Sequence, residues 1–215
     1  MTISVLLADD HRLLREGLRS LLESESEISV VGEADTGRVA VSMARELRPD
    51  VVIMDVAMPD LNGIEATRQL VSDAPGTRVV ALSMHSNKRM VVEMLRAGAS
   101  AYVLKLSAFD EVARAVRAAA TGERYLSPSL ANVVVDELVS PDAPSSAFSA
   151  LTPREREVLQ LLAEGKNTKE MAALLHISAR TVDVHRKRVM DKLGMNSVAE
   201  LTRYAMREGL VPLDD

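Results

Sequence analysis

Hydrophobic positions in the first half of the chain form short, uninterrupted runs that alternate with longer amphipathic segments. The segment after the first run has leucine at positions 14, 18, 21 and 22, the spacing of one face of an α-helix. The runs are rich in β-branched residues and lack polar alternation, as is typical of strands buried on both faces of a parallel sheet. Five strands are therefore predicted, at Ile3–Ala8, Ile28–Glu33, Val51–Met54, Arg78–Leu82 and Ala101–Leu104.

The last third of the chain has a different pattern, in which helix start signals precede amphipathic segments. Thr152 and Glu155 have the spacing of a capping box, and the same signal recurs at Asn167. After a short turn, a third helix is predicted to begin at Arg180. A helical wheel places its apolar residues on one inward face. These residues are Val182, Val189 and Leu193.

This change of pattern predicts two domains. Strand–helix alternation implies a parallel sheet with helices on both faces, and five such units favour the flavodoxin-like, doubly wound α/β fold. Residues 140–146 are rich in Pro and Ser, as is typical of a linker. We expect the α/β domain over residues 1–125, a linker over 126–147 with a helix at 128–139, and a small all-α helix-turn-helix domain over 148–215.

Composition and charge narrow the classes of function. The 215 residues include no cysteine, which excludes disulfides, thiolate metal sites and cysteine catalysis. Aromatic residues make up 2% of the chain, which disfavours binding of single-stranded nucleic acid by base stacking. Residues 1–147 hold 15 basic and 21 acidic side chains, whereas residues 148–215 hold 11 and 10, so the acidity belongs to the first domain. The N-terminus lacks the features of a targeting signal, and we expect a cytoplasmic protein.

Polar and charged residues follow the predicted strands at their carboxyl ends. Asp9 and Asp10 follow the first strand, Asp55 the third, Ser83 the fourth and Lys105 the fifth. Each residue alone has an ordinary explanation as a helix cap or a surface charge. Doubly wound folds bind ligands at this edge of the sheet, so their common position favours a site. Clustered carboxylates suit Mg²⁺, and a carboxylate can take up a phosphoryl group as an aspartyl phosphate.

These strand-end residues resemble those of a response-regulator receiver domain. The resemblance covers residues 1–125 and includes the stretch Asp55–Gly63, with its Met-Pro and Asn-Gly pairs. It implies that Asp55 accepts a phosphoryl group from a sensor histidine kinase and that Tyr102 is the aromatic switch residue. It also implies that Mg²⁺ is bound by Asp10, Asp55 and the Ala57 carbonyl, and through water by Asp9. The phosphoryl oxygens would be bound by Ser83 and Lys105.

Two histidines lie close to this set in the sequence. His85 follows Ser83 by two positions, where the family tunes the lifetime of its phosphate, and an exposed loop histidine is an equal alternative. His11 is expected to begin the first helix without a chemical role.

The third helix of the second domain has the properties of a major-groove reader. It follows a short turn and carries Lys and Arg on its outer face, although a solvated surface helix would carry them too. Residues 151–159 and 178–185, followed by Lys-Leu-Gly at 192–194, resemble the LuxR-type helix-turn-helix. The resemblance places Asp183, Val184 and Lys187 toward the bases. Asp183 departs from members with a basic residue there, and it can accept a hydrogen bond from cytosine N4. The predicted DNA-binding set is completed by Arg180 and by three residues that the resemblance places for phosphate contacts, Thr181, Arg188 and Lys192.

Together the two resemblances identify the sequence as a member of the NarL/FixJ family of response regulators. Membership implies phosphorylation of Asp55 by a sensor histidine kinase, a homodimer when phosphorylated, and regulated binding to double-stranded promoter DNA, without enzymatic turnover. Two alternatives stay open on the sequence. One is a Mg²⁺-dependent phosphohydrolase with an aspartate nucleophile, although Ala57 provides it with no acid–base group. The other is a constitutive DNA binder whose first domain serves only for docking or dimerisation.

Overall fold

A computed structural model describes residues 2–84, 88–107, 109–131 and 147–211. The chain divides into two compact units, Met1–Ser140 and Pro141–Asp215. Every helix in these described ranges is too short or too polar to cross a membrane.

The first unit contains one parallel sheet, as the strand–helix alternation predicts. Its strands are β1 (Ile3–Ala8), β2 (Ile28–Ala34), β3 (Val51–Asp55), β4 (Arg78–Ser83), β5 (Ala101–Leu104) and β6 (Tyr125–Leu126). The spatial order is β2-β1-β3-β4-β5-β6, and every neighbouring pair is parallel. The predicted α/β fold is confirmed, and the five predicted strands end within one residue of their predicted bounds. The sixth strand was not predicted.

Helices cover both faces of this sheet, and the sheet separates two apolar clusters. Leu18 and Leu22 of the first helix are buried in one cluster with the fifth helix. Leu21, which the leucine spacing assigns to the same face, is instead 45% exposed. The second, third and fourth helices bury their apolar faces in the other cluster. The helices are α1 (Arg12–Glu23), α2 (Gly37–Leu47), α3 (Gly63–Asp73), α4 (Lys88–Arg96) and α5 (Phe109–Ala120).

The chain after α5 continues to build the first unit. β6 pairs with β5, and the backbone N–H of Ser127 donates to the Tyr102 carbonyl at 3.0 Å. A short 3₁₀ helix, Pro128–Leu130, then buries Leu130 completely in the apolar cluster that contains Tyr102. This 3₁₀ helix coincides with the start of the predicted linker helix, whose residues from 132 onward lie outside the described ranges.

The second unit is helical and follows the predicted start signals. A 3₁₀ helix, Ala147–Ala150, precedes the others. Thr152 and Asn167 both form the predicted capping boxes, and Val182 and Val189 are buried in the unit's apolar cluster. The last helix, which was not predicted, packs against the first long one. The helices are α6 (Pro153–Ala163), α7 (Thr168–Leu174), α8 (Ala179–Leu193) and α9 (Val198–Arg207).

Candidate functional site

Side chains from four strand ends meet at the carboxyl edge of the first unit's sheet. Ala8 and Met54 are register partners in β1 and β3, so Asp9 and Asp55, which follow them, lie side by side. Ser83 is the last residue of β4 and pairs with Leu104, the last residue of β5, which Lys105 follows. The topology therefore converts separated positions in the sequence into one neighbourhood, because parallel neighbours end on the same edge.

An ammonium group bridges two buried carboxylates at this edge. The Lys105 Nζ lies 2.7 Å from Asp9 Oδ2 and 2.7 Å from Asp55 Oδ2, and all three side chains are 3% exposed. The other oxygen of Asp55, Oδ1, accepts a hydrogen bond from the Ala57 N–H at 3.2 Å. One cation thus faces two anions in a place where water screens them poorly, which leaves an excess of negative charge.

This environment shifts the pKa values of the bridging groups. Burial raises the pKa of Asp55 to about 6; Lys105 opposes that rise, and the Asp9 carboxylate adds to it. For Lys105, burial lowers the pKa, but the Asp55 and Asp9 carboxylates raise it by more, and the net pKa lies above its ordinary value. Asp55 is therefore a carboxylate that gains from a further cation, while Lys105 stays charged.

Asp10 and His11 enlarge this acidic cluster. One potential ligand atom from each of Asp9, Asp10, His11 and Asp55 lies within 4.8 Å of the others. The His11 backbone N–H donates to Asp9 Oδ1 at 2.8 Å, and its ring Nδ1 lies 2.8 Å from Asp10 Oδ1. His11 was expected only to begin the first helix, although its adjacency to Asp9 and Asp10 in the sequence was a usable signal for this cluster. Carboxylate oxygens dominate the set and fit a hard divalent cation.

Ser83 and Tyr102 form a second, smaller arrangement beside this cluster. The Tyr102 side chain is fully buried, and the Tyr102 and Ser83 hydroxyl groups share a hydrogen bond. Burial raises the pKa of Tyr102 to about 12, with the Ser83 contact opposing and the Asp55 charge adding to the rise. Position 85 lies outside the described ranges, so the alternatives for His85 stay as predictions.

The loop after Asp55 is held tightly in place. A Cβ on Gly63 would lie 2.0 Å from the Asp55 carbonyl oxygen, and the Gly63 N–H donates to the Val56 carbonyl at 3.0 Å. Only glycine allows this approach of α3 to the end of β3. Asp60 has a φ of 68° and is fixed by Arg38 of α2, whose two nitrogens donate at 2.9 and 3.1 Å.

In the second unit, α8 presents a mixed polar face to solvent. Ser178 caps the helix by accepting from the Thr181 N–H at 3.1 Å, and the two hydroxyls lie 2.8 Å apart. Val184 is 43% exposed, and Asp183 forms an ion pair with Arg186 at 3.1 Å. The remaining residues of the predicted DNA-binding set on this part of the helix are exposed, namely Arg180, Lys187 and Arg188.

Lys192, the last member of that set, has partners inside the unit. Its Nζ donates to Glu155 Oε2 at 2.7 Å and to the Ala150 carbonyl at 3.0 Å. The sequence predicted a phosphate contact for this residue, and the wheel of α8 alone contained no sign of an acidic partner on α6.

Comparison with known proteins assigns a family to each unit. The family model for the response regulator receiver domain matches residues 5–117, and the model for bacterial regulatory proteins of the luxR family matches residues 149–205. Response regulator UvrY of Escherichia coli K12 is 36% identical over 208 residues, which are 97% of this chain and 95% of UvrY. Response regulator GacA of Pseudomonas aeruginosa PAO1 is 35% identical over 209 residues, 97% of this chain and 98% of GacA.

Solved structures agree with this assignment. A LuxR-family two-component response regulator from Aurantimonas sp. SI85-9A1 superposes with a TM-score of 0.62 at 37% identity, over 65% of this chain and 99% of that one. The response regulator RcsB in complex with DNA superposes with a TM-score of 0.60 at 27% identity, over 95% of this chain and 98% of that one. The chain is therefore a two-component response regulator of the NarL/FixJ family, in which a receiver domain precedes a LuxR-type helix-turn-helix DNA-binding domain.

Proposed function

We propose that Asp55 accepts a phosphoryl group from the phosphohistidine of a sensor kinase and that this event controls dimerisation and DNA binding. The observation that carries the proposal is the Lys105 ammonium, 2.7 Å from both the Asp55 and the Asp9 carboxylates at the ligand-binding edge of the sheet. A buried cation at that position serves a transferred phosphoryl group, whereas a surface lysine would lie in solvent.

In the transfer step an Asp55 carboxylate oxygen forms a bond to phosphorus while the bond from phosphorus to the kinase imidazole nitrogen breaks. The nitrogen keeps that electron pair, so no separate base is required. With a pKa of about 6, Asp55 is mostly ionised at neutral pH and can act as the nucleophile. Lys105 then pairs with one phosphoryl oxygen. The Ser83 hydroxyl donates to another phosphoryl oxygen, at the expense of its hydrogen bond with Tyr102.

The acidic cluster is proposed to hold Mg²⁺ through Asp10, Asp55 and the Ala57 carbonyl, with Asp9 acting through water. The donor set fits because the grouped ligand atoms are mainly carboxylate oxygens, and the site has more acids than its lysine neutralises. When bound, Mg²⁺ neutralises charge on the phosphoryl oxygens during transfer. The buried side chains of Asp9 and Lys105 orient the Asp55 nucleophile.

For DNA, α8 is proposed to enter the major groove, with Asp183, Val184 and Lys187 toward the base edges. Arg188 is proposed to contact the phosphates, and the basic Arg180 extends the same face. Thr181 contributes a phosphate contact from the N-terminal end of the helix, where its hydroxyl also lies 2.8 Å from that of Ser178. Asp183 favours a cytosine at its position, since a carboxylate accepts from the N4 amino group.

We further propose that the receiver, expected over residues 1–125, extends through Leu130, which is buried in its apolar cluster, that the linker follows it up to residue 147 and that 148–215 form the DNA-binding domain. Phosphorylated protein is expected to form a homodimer that reads two related half-sites in double-stranded promoter DNA. The protein is expected to be cytoplasmic and to show no steady turnover of phosphomonoesters.

The test is selection of genomic DNA fragments on the purified protein with Mg²⁺, with or without a small-molecule phosphoryl donor, at one fixed salt concentration. Enrichment of a two-fold-related motif only with the donor supports the switch. Asp55→Ala should abolish phosphorylation and donor-dependent enrichment, whereas Asp35→Ala, at an exposed position outside the cluster, should change neither. Equal enrichment in both conditions would indicate a constitutive DNA binder, and steady release of phosphate would indicate a phosphohydrolase.

A further inference from the structure

The Lys192 ammonium joins the last turn of α8 to other elements of the DNA-binding unit, whereas Arg186 pairs with Asp183 of the same helix. Two acceptors hold the ammonium: Glu155 Oε2 at 2.7 Å and the Ala150 carbonyl at 3.0 Å. Ala150 ends the 3₁₀ helix before α6, and Glu155 lies in the first turn of α6. One side chain therefore connects the last turn of α8 to two backbone segments far away in the sequence.

Glu155 depends on this contact. Its side chain is 3% exposed, and the same oxygen, Oε2, also accepts the Thr152 N–H at 2.8 Å as part of the capping box. A buried carboxylate that lost its cation would have to rearrange toward water, because an unpaired buried charge is costly. Removing Lys192 thus disturbs the N-terminus of α6 as well as the end of α8.

The position of this contact gives it a bearing on recognition. Val182 and Val189 bury the inner face of α8 in the apolar cluster, and Leu193 packs against that cluster. Apolar packing is not directional, so the ion pair with Glu155 adds a directional constraint at the last turn of α8. We propose that Lys192 is a positioning residue, which sets the orientation of α8 for base readout through Glu155 and Ala150 and does not act as a phosphate ligand. This inference rests on the proposed entry of α8 into the major groove.

Salt dependence separates a positioning residue from a phosphate ligand. The slope of log K against log salt is negative, and loss of one phosphate contact reduces its magnitude by about 1. Such a loss weakens specific and non-specific binding alike. Loss of orientation weakens specific binding only. The probes are a duplex selected on the unsubstituted full-length protein and a scrambled duplex of the same length, each titrated at several salt concentrations.

Lys192→Met should weaken binding to the selected duplex by roughly tenfold, the effect expected for one charge-assisted contact, with unchanged salt slope and unchanged affinity for the scrambled duplex. Glu155→Gln should give a similar loss, and the double substitution should add little to it. Lys192→Arg should restore binding because a guanidinium can donate to both acceptors. Arg188→Met is the matched control on the same helix and should reduce the magnitude of the slope by about 1.

A reduction of the magnitude of the slope by about 1 with equal losses on both duplexes would overturn the proposal in favour of a phosphate contact. Unchanged affinity of Lys192→Met for the selected duplex would also overturn it. If the unsubstituted protein selects no duplex, a measurement without DNA still tests the positioning role independently of the proposed function. Residual dipolar couplings of α8 amides relative to α6 should change in Lys192→Met and return in Lys192→Arg, and unchanged couplings would reject the positioning role.

Discussion

Replacing Asp55 by Asn should stabilise the metal-free protein, even though it removes the proposed phosphoacceptor. Burial and the Asp9 charge hold the pKa of Asp55 at about 6, against 3.8 for the unperturbed group. The folded state therefore retains a proton that the unfolded state has lost between these pH values. The contribution of Asp55 to the free energy of unfolding accordingly falls as pH rises through this window, and the full cost is present above pH 6.

The size of the effect follows from that shift. Each pKa unit corresponds to about 1.4 kcal/mol, so ionising Asp55 costs the folded state roughly 3 kcal/mol at pH 7.5. Asn approximates the neutral carboxyl group, and Asp55→Asn should raise the free energy of unfolding by up to about that amount in EDTA. At pH 5 the gain should be roughly half as large, because the parent protein already carries the proton in most folded molecules.

Mg²⁺ should reduce or reverse the difference in free energy of unfolding between Asp55→Asn and the parent protein. A ligand at 100 times its dissociation constant stabilises the folded state by about 2.7 kcal/mol, and the Asn variant lacks a carboxylate for the metal. The assay is urea unfolding of parent and variant at pH 5 and pH 7.5, each in EDTA and in Mg²⁺, with Asp35→Asn as the exposed control. A variant no more stable than the parent in EDTA at pH 7.5, or a gain that does not shrink at pH 5, would refute this reasoning.

Three further substitutions, two of them paired with a control variant, test other parts of the fold by chemical denaturation. Gly63→Ala should destabilise the first unit by more than about 2 kcal/mol and weaken Mg²⁺ binding, because its Cβ would lie 2.0 Å from the Asp55 carbonyl oxygen. Gly17→Ala, in α1 with open space around the Cβ, should instead stabilise by roughly 0.5–1 kcal/mol, and equal effects of the two would contradict the contact. Leu130→Ala should cost about 2–5 kcal/mol because the side chain is fully buried, and a cost below about 1 would show that it is not a core residue. Thr152→Ala should lower the stability of the second unit by about 1 kcal/mol through loss of the capping box, whereas Thr152→Ser should not.

Much of the fold follows from local patterns in the sequence. The five apolar runs are long enough to be recognised, and the capping residues Thr152 and Asn167 mark helix starts through chemistry confined to one turn. β6 could not be recognised in this way. It has two residues, Tyr125 and Leu126, and only its pairing with β5 makes it a strand.

The candidate sites show the same limit. The edge residues could be grouped from sequence because parallel strands end together, which is a rule of topology. The bridging position of Lys105 between Asp9 and Asp55 is tertiary geometry, as is the contact between Lys192 and Glu155, which lie 37 residues apart. A helical wheel assigns Lys192 to a flank of α8 and contains no information about a partner on α6.

The burial of Leu130 beside Tyr102 affects how such proteins can be divided and recombined. The stretch from Tyr125 to Leu130 completes an apolar cluster of the first unit while leading the chain onward to the second. A receiver exchanged between two response regulators with a junction at residue 125 would place a foreign segment, with its own residue at position 130, in the apolar cluster that contains Tyr102. Junctions placed after residue 131 keep the sheet and the 3₁₀ helix with Leu130 from one parent. Chimeras built that way should retain a native receiver.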